Sequence, residues 1–281
     1  MARGKARIIL FGFLAALAIT SGCSGGNRSK EKPLEEFTAE EIYKQAEFKL
    51  ETKRKADEAI KLFGEVERLY PYSEWAKRAL IMQAFAYHKN KDYENSRAAA
   101  QRFIDFYPAD EDAAYAQYLL AISYYDQIDD VGRDQGLTFQ ALQALRTVIE
   151  RYPDSEYARS AILKFDLAFD HLAAKEMEIG RYYLKRGHYL AAINRFRVVV
   201  EEFQTTSHTA EALHRLVEAY LSLGLDNEAQ TAGAILGHNF RSTEWYQDSY
   251  RLLTKQGLEA KPKGDNWLAK IYRQMIRGEW L

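Results

Sequence analysis

Tyr-Pro pairs recur along this chain. They are Tyr70-Pro71, Tyr107-Pro108 and Tyr152-Pro153, and their prolines lie 37 and then 45 residues apart. A period of this size is typical of stacked helical repeats, because each repeat is one helical pair that cannot bury its apolar face alone. Proline cannot continue a helix, so each pair is predicted to mark the end of one repeat. The chain is therefore predicted to be an all-α repeat protein.

The residues between these pairs follow the tetratricopeptide pattern of small and large residues at fixed positions. Small residues let the two helices of a repeat cross closely, and Ala84 and Gly180 are the predicted contacts. Gly187 and Gly224 are predicted to follow helix ends in the left-handed conformation. We predict a tetratricopeptide superhelix of about five repeats over residues 38–240, with C-terminal capping helices.

The third repeat departs from the regular period. One helix is predicted from Asp112 to Asp126 and a second from Thr138 to Arg151, with a long loop, 127–136, between them. The carboxylates of this loop lack the spacing of an EF-hand, so it is not predicted to bind metal. From Ser155 to about Arg186 there is no proline, which predicts one unusually long helix or two helices with a slight kink.

The N-terminus has the features of a bacterial lipoprotein signal. Basic residues precede an apolar stretch, Ile8 to Ile19, that is too short to span a bilayer as a stable helix. Cys23 is the single cysteine of the chain and follows small residues directly. We predict a signal peptide over residues 1–22 and a lipidated Cys23 at the start of a flexible tether, 23–37. The alternative is an ordinary secretory signal with a chance cysteine.

Residues 241–281 are predicted to form a C-terminal cap or extension. Terminal repeats need a cap because their outer face would otherwise expose the apolar core. The segments 242–255 and 266–277 both have helical patterns. Two interpretations stay open for the second segment: a further cap packed on the body, or a partner-binding arm with exposed Trp267 and Trp280.

No motif for catalysis or for a cofactor is found in the sequence. The six histidines show no metal-binding spacing, and phosphate-loop and G-x-G-x-x-G motifs are missing; the single G-x-S-x-G match, residues 22–26, spans the predicted lipidation site. A lytic transglycosylase is the best enzyme alternative, but the 41 residues after Phe240 are too few for its catalytic domain. Basic and acidic residues number 39 and 40, so nucleic-acid binding is not indicated. We predict a non-catalytic protein without cofactor or metal.

Inward positions of the first three repeats predict a peptide-binding groove. Apolar side chains next to cationic ones suit an extended peptide with aromatic residues and a terminal carboxylate. The candidates are Lys44, Phe48, Arg78, Ile81, Phe85, His88 and Leu119. For the aromatic residues, the alternative is that they belong to the core between repeats.

The lipoprotein signal, the tether and the repeats together resemble the BamD family, the outer-membrane protein assembly factors of Gram-negative bacteria. The residues that carry the resemblance are Tyr70-Pro71-Tyr72-Ser73, Ala86-Tyr87-His88-Lys89-Asn90, Arg102-Phe103-Ile104, Arg133-Asp134, Tyr152-Pro153-Asp154-Ser155, Tyr182-Tyr183-Leu184-Lys185-Arg186-Gly187 and Asn194-Arg195. The long helix and the enlarged third loop are also family traits. Gln204-Thr205 differs, since the family usually has another Tyr-Pro pair there, and the tail beyond about Leu253 is longer than in enterobacterial members.

The resemblance implies a lipid-anchored scaffold at the periplasmic face of the outer membrane. Its implied partners are the POTRA region of the barrel protein BamA, other lipoproteins of the BAM complex and unfolded β-barrel precursors. The family contacts BamA through its C-terminal repeats, where Arg195 with Asn194 matches a basic family position, and precursors through its N-terminal repeats. The alternative is another periplasmic repeat protein, serving the Tol-Pal system, polysaccharide export or pilus assembly.

Overall fold

The computed structural model describes residues 32–52 and 55–278. A short 3₁₀ helix, Leu34–Glu36, lies in the first of two units, and the second unit begins at Thr38. The described residues contain twelve α-helices and no strand. The helices are α1 (Ala39–Glu51), α2 (Ala56–Leu69), α3 (Glu74–Lys89), α4 (Tyr93–Phe106), α5 (Ala113–Tyr125), α6 (Gly136–Arg151), α7 (Glu156–Lys185), α8 (Tyr189–Glu202), α9 (Thr209–Ser222), α10 (Asp226–Asn239), α11 (Glu244–Lys255) and α12 (Trp267–Ile276). The predicted signal peptide, Cys23 and Trp280 lie outside the described residues.

Helices that follow one another along the chain pack together as five pairs, α1–α2, α3–α4, α5–α6, α7–α8 and α9–α10. The first helices of successive pairs also contact one another, from α1 through α3, α5 and α7 to α9. These first helices therefore share one face of the superhelix. The predicted all-α tetratricopeptide fold is confirmed.

The predicted register agrees with the packing of the core. Ala84 is fully buried, and so are Phe103 and Phe196, which come from the second helices of their pairs. Gly180 lies so near Phe196 that a Cβ at residue 180 would be 2.4 Å from Phe196 Cε1. A side chain as small as that of glycine is needed for this close helix crossing.

The ends of the helices lie where the punctuating residues predict them. Tyr70, Tyr107 and Tyr152 are the C-terminal caps of α2, α4 and α6, and each is followed by proline, which cannot continue the helix. Gly187 and Gly224 adopt φ values of 75° and 69° just beyond α7 and α9. Glycine adopts this left-handed conformation without the strain that a Cβ would cause.

α7 is a single helix of 30 residues, without a break. Its first half packs on α6, where Ala161 joins a core cluster with Leu145. Its second half packs on α8, where Met177 shares a cluster with Phe196. The helix therefore changes packing partner midway along its length.

α11 and α12 cover the last repeat. Trp267 Nε1 donates a hydrogen bond of 3.0 Å to the hydroxyl of Tyr220 on α9, and the guanidinium of Arg197 lies 5.0 Å from the indole centroid. Leu268 and Ile271 are buried in the same cluster as the residues of α9 and α10. Trp267 is thus part of the packed body, not of a free arm. In the described part of the chain, no helix combines the length and the apolar character needed to cross a membrane.

Candidate functional site

The candidates on α1 lie on the surface. Lys44 Nζ pairs with Glu40 at 2.6 Å, one helical turn earlier, and the side chain of Lys44 is largely exposed. Phe48 is 69% exposed, which is unusual for a phenylalanine. Both side chains are therefore accessible to a ligand. Their helix contacts α3, which in turn contacts α5, so the three helices that carry the predicted groove lie side by side.

An aromatic cluster supports the cationic candidate on α3. The guanidinium carbon of Arg78 lies 5.3 Å from the ring centroid of Trp75, and that ring lies 5.1 Å from Tyr43 of α1. Burial, with a contribution from the charge of Glu47, raises the pKa of Tyr43 to about 12, so its hydroxyl stays neutral. Arg78 is thus held at the surface by the uncharged rings of Trp75 and Tyr43 beneath it. Trp75 was not among the sequence candidates, although its spacing of three residues from Arg78 places the two on one helix face.

The other candidates on α3 lie deeper. Phe85 is half-buried against the core cluster of the second repeat. His88 Nε2 lies 3.1 Å from Asp126 Oδ2 at the end of α5. This contact joins the second repeat to the third, which is a structural role that the repeat pattern did not predict.

Two groove candidates need correction. Ile81 and Leu119 are 4% and 1% exposed and belong to one core cluster together with Ala84 and Ala116. Small alanines let α3 and α5 approach closely, so the apolar side chains between them fill the contact between neighbouring repeats. Ile81 and Leu119 therefore offer no surface to a peptide. The groove residues that remain accessible are two cations and two aromatic side chains.

The candidate basic contact, Arg195, lies on α8 and is already held by a carboxylate of the same chain. Arg195 Nη1 lies 3.0 Å from Glu176 Oε2 of α7, with 43% of the arginine side chain and 20% of the glutamate side chain exposed. Asn194 beside it is exposed. Among the described residues, the hydrogen bonds of Arg195 use Nη1 alone, which leaves Nε and Nη2 as donors for a second carboxylate. No feature of the sequence pointed to Glu176, because the repeat pattern says nothing of charges on the preceding helix.

Within residues 32–52 and 55–278, no group of three or more His, Cys, Asp or Glu side chains is arranged to hold a metal ion. The accessible features described so far are charged and aromatic side chains on helix surfaces. Such features suit the recognition of other polypeptides.

Comparison of the whole chain with known proteins points to one family. The chain matches the YfiO family, described as an outer membrane lipoprotein, over residues 35–235. It is 48% identical to the outer membrane protein assembly factor BamD of Caulobacter vibrioides over 256 residues, covering 91% of this chain and 83% of the relative. It is 41% identical to BamD of Rickettsia prowazekii over 242 residues, covering 85% of this chain and 96% of the relative.

A solved structure, that of the type IV pilus biogenesis factor PilW, covers 74% of this chain and 96% of its own, at 13% identity. Its TM-score of 0.34 is too low to bear on fold or function. The family match and the two relatives confirm the resemblance on which the sequence prediction rested. The chain belongs to the YfiO/BamD family of outer-membrane lipoproteins.

Proposed function

We propose that this protein is a non-catalytic scaffold in the assembly of outer-membrane β-barrel proteins. The observation that carries the proposal is the 48% identity, over 91% of this chain, to a relative named an outer membrane protein assembly factor. A superhelix of helical pairs suits the role, because it offers extended surfaces to other proteins. Residues 1–22 serve as signal peptide, and the lipid on Cys23 and the tether 23–37 anchor the superhelix at the periplasmic face of the outer membrane.

The first proposed partner is the POTRA region of BamA, bound by the C-terminal repeats. Arg195 is the proposed anchor and Asn194 its neighbour. Glu176 holds the guanidinium of Arg195 in place. The remaining donors of Arg195, Nε and Nη2, are the ones proposed to bind a carboxylate of the partner. Charge-assisted hydrogen bonds to arginine are strong and directional, so one such contact can fix the orientation of a partner.

The second proposed partner is an unfolded β-barrel precursor, received by the N-terminal repeats. Lys44 and Arg78 supply positive charge, and Phe48 and Phe85 supply apolar surface. An extended peptide with aromatic residues and a carboxylate complements this combination. His88 borders the same face at the boundary of the third repeat. Other lipoproteins of the same complex complete the proposed set of partners.

The test is purification of the tagged full chain from detergent-solubilised envelopes, followed by mass spectrometry of the proteins that accompany it. We expect a β-barrel protein with POTRA repeats to be the dominant partner. Tol-Pal components, or proteins of polysaccharide export or pilus assembly, as dominant partners would overturn the proposal.

A charge reversal, Arg195→Glu, refines the test. It places a carboxylate beside Glu176 and repels the proposed partner carboxylate, so recovery of the POTRA protein should fall several-fold. The matched control is Arg102→Glu on α4, because Arg102 also pairs with a carboxylate of another helix, Glu67, and has a similar exposed fraction, 47%. Recovery that is the same for both variants would remove Arg195 from the proposed contact.

A further inference from the structure

An open cleft lies where α7 passes from its contact with α6 to its contact with α8. We call it the step cleft; its volume is about 280 Å³. Phe139 and Arg146 of α6, Phe165 and Phe169 of α7, and Glu202 and Phe203 at the end of α8 line it. The volume lies below the range of about 300–1,000 Å³ that is typical of small-molecule sites. The step cleft therefore has room for one large side chain rather than for a whole ligand.

Three aromatic rings form the wall of the step cleft. Phe165 and Phe169 are stacked, with ring centroids 5.9 Å apart and an interplanar angle of 16°. The ring of Phe169 in turn lies 4.8 Å from that of Phe203. All three side chains are half-buried, so their rings are held by one another and still present surface to the cleft. A wall of ordered rings favours an aromatic guest and costs little conformational entropy on binding.

A cation stands at the rim of the step cleft. The guanidinium of Arg146 lies 5.5 Å from the ring centroid of Phe165. Glu202 also lines the cleft, but within the described part of the chain no carboxylate forms an ion pair with this exposed guanidinium. A ligand with a carboxylate near an aromatic ring could therefore pair with Arg146 while its ring packs against the aromatic wall.

A second cavity, of about 470 Å³, adjoins the step cleft, since Phe169 lines both. The second cavity is also lined by Leu167, which is 62% exposed, and by the carboxylates of Asp166 and Asp170. Asp170 is engaged by the backbone and hydroxyl of Ser207, whereas Asp166 is exposed. Along this surface, a cation, an aromatic wall and a carboxylate follow one another.

We propose that the step cleft and the adjoining cavity bind an extended segment of a partner protein. In this segment an aromatic residue stands between an acidic and a basic residue, each two positions away. Alternate residues of an extended chain point to the same side, so all three side chains face the protein. The ring enters the aromatic wall, the acidic group pairs with Arg146 and the basic group pairs with Asp166. None of the residues proposed for BamA or precursor binding takes part, so the inference does not rest on the proposed function.

The experiment measures binding of fluorescein-labelled peptides to the full chain in detergent by fluorescence anisotropy. The probe has a Glu-Gly-Phe-Gly-Lys core in a Gly/Ser background. Control peptides carry leucine in place of phenylalanine, two glutamates, or two lysines. We expect the controls to bind about three- to fivefold more weakly than the probe. Equal affinity for all four peptides would overturn the proposal.

Variants of the protein locate the site. Arg146→Glu, Asp166→Lys and Phe139→Ser should each weaken binding of the probe, and Phe139 is 61% exposed, so its loss leaves the fold intact. The matched control is Phe106→Ser on α4, which removes a phenylalanine of similar exposure, 64%, that does not line the cleft. Arg146→Glu should also improve binding of the peptide with two lysines. Affinities that do not change in the three cleft variants would refute the inference.

Discussion

At the scale of single residues, the superhelix depends on places where two helices touch through a very small side chain. Gly180 is one of them, because Phe196 occupies the space that a Cβ would need and is itself fully buried. Interiors are packed as densely as organic crystals, so neither helix can move away without loss of other contacts. The register predicted from the repeat pattern thus identifies a residue that tolerates no substitution without cost.

Gly180→Leu is expected to lower the free energy of unfolding by about 1–3 kcal/mol, because the added side chain overpacks the contact with Phe196. Thermal or urea denaturation followed by circular dichroism measures the loss. Gly132→Leu is the control, since the nearest atom to a Cβ there, Glu178 Oε2, is 3.9 Å away. An unchanged melting temperature for Gly180→Leu would contradict the close contact of α7 and α8.

A buried histidine, His214, links α9 to the capping helix α11. Its Nδ1 lies 2.8 Å from Ser249 Oγ, and its ring lies 5.4 Å from that of Trp245. Burial holds the pKa of His214 below its ordinary value of 6.5; the charge of Glu218 opposes the shift and that of Arg215 adds to it. The folded protein therefore binds a proton at this residue less readily than the unfolded chain does.

The depressed pKa predicts that His214 makes the fold less stable in mild acid. Its contribution to the free energy of unfolding is fully present above the unfolded pKa of about 6.5 and is lost as pH falls through the folded pKa. Melting temperatures of the parent and of His214→Gln should therefore converge or cross between about pH 7 and about pH 5, since glutamine does not titrate. Parallel curves over this range would show that His214 does not carry the effect.

At the scale of elements, α12 is the helix whose role the sequence left open. Leu268 is fully buried in the cluster that α9 and α10 share, whereas Ile276 at the end of the same helix is 60% exposed. Upstream of α12, the Thr231 hydroxyl of α10 accepts a hydrogen bond of 2.9 Å from the backbone N–H of Lys263. The helix is thus attached through both apolar packing and the loop that precedes it.

Leu268→Ala is expected to cost about 2–5 kcal/mol, because it leaves a cavity in a core that cannot collapse fully. Ile276→Ala on the same helix should change stability by no more than about 0.5 kcal/mol. Urea denaturation of both variants distinguishes a structural cap from an arm that detaches. A negligible effect of Leu268→Ala would indicate that α12 does not belong to the cooperative unit.

The elements themselves could be predicted from short-range signals. The Tyr-Pro pairs, Gly187 and Gly224 identified helix ends, and a stretch without proline identified α7, because these residues act on the backbone where they stand. The site was harder to predict. Helical position showed which way Ile81 and Leu119 face, but not how closely the next repeat approaches. The distance between neighbouring repeats depends on small residues far away in the chain. Only the folded structure therefore shows whether an inward-facing side chain lines the groove or belongs to the core.

At the scale of the whole molecule, the proposed function requires the superhelix to be tied to a membrane. Cys23→Ser should abolish lipidation, since only the cysteine thiol can form the thioether. The variant should then fractionate as a soluble or unprocessed protein, while the parent fractionates with the outer membrane. Circular dichroism should be the same for both, because residue 23 is not part of the unit that begins at Thr38 and contains the twelve helices. Normal membrane fractionation of the variant would refute Cys23 as the lipid attachment site.

The continuity of α7 has a further consequence for the proposed role, in which the protein holds several polypeptides at once. Its 30 residues span about 45 Å at a rise of 1.5 Å per residue. The early and late repeats are therefore joined by a stiff spacer, not by a flexible linker, and their separation changes only if the helix bends. A polypeptide captured at one end is kept within a narrow range of distances from a partner held at the other. Their encounter then behaves as an intramolecular event, with an effective concentration set by helix length.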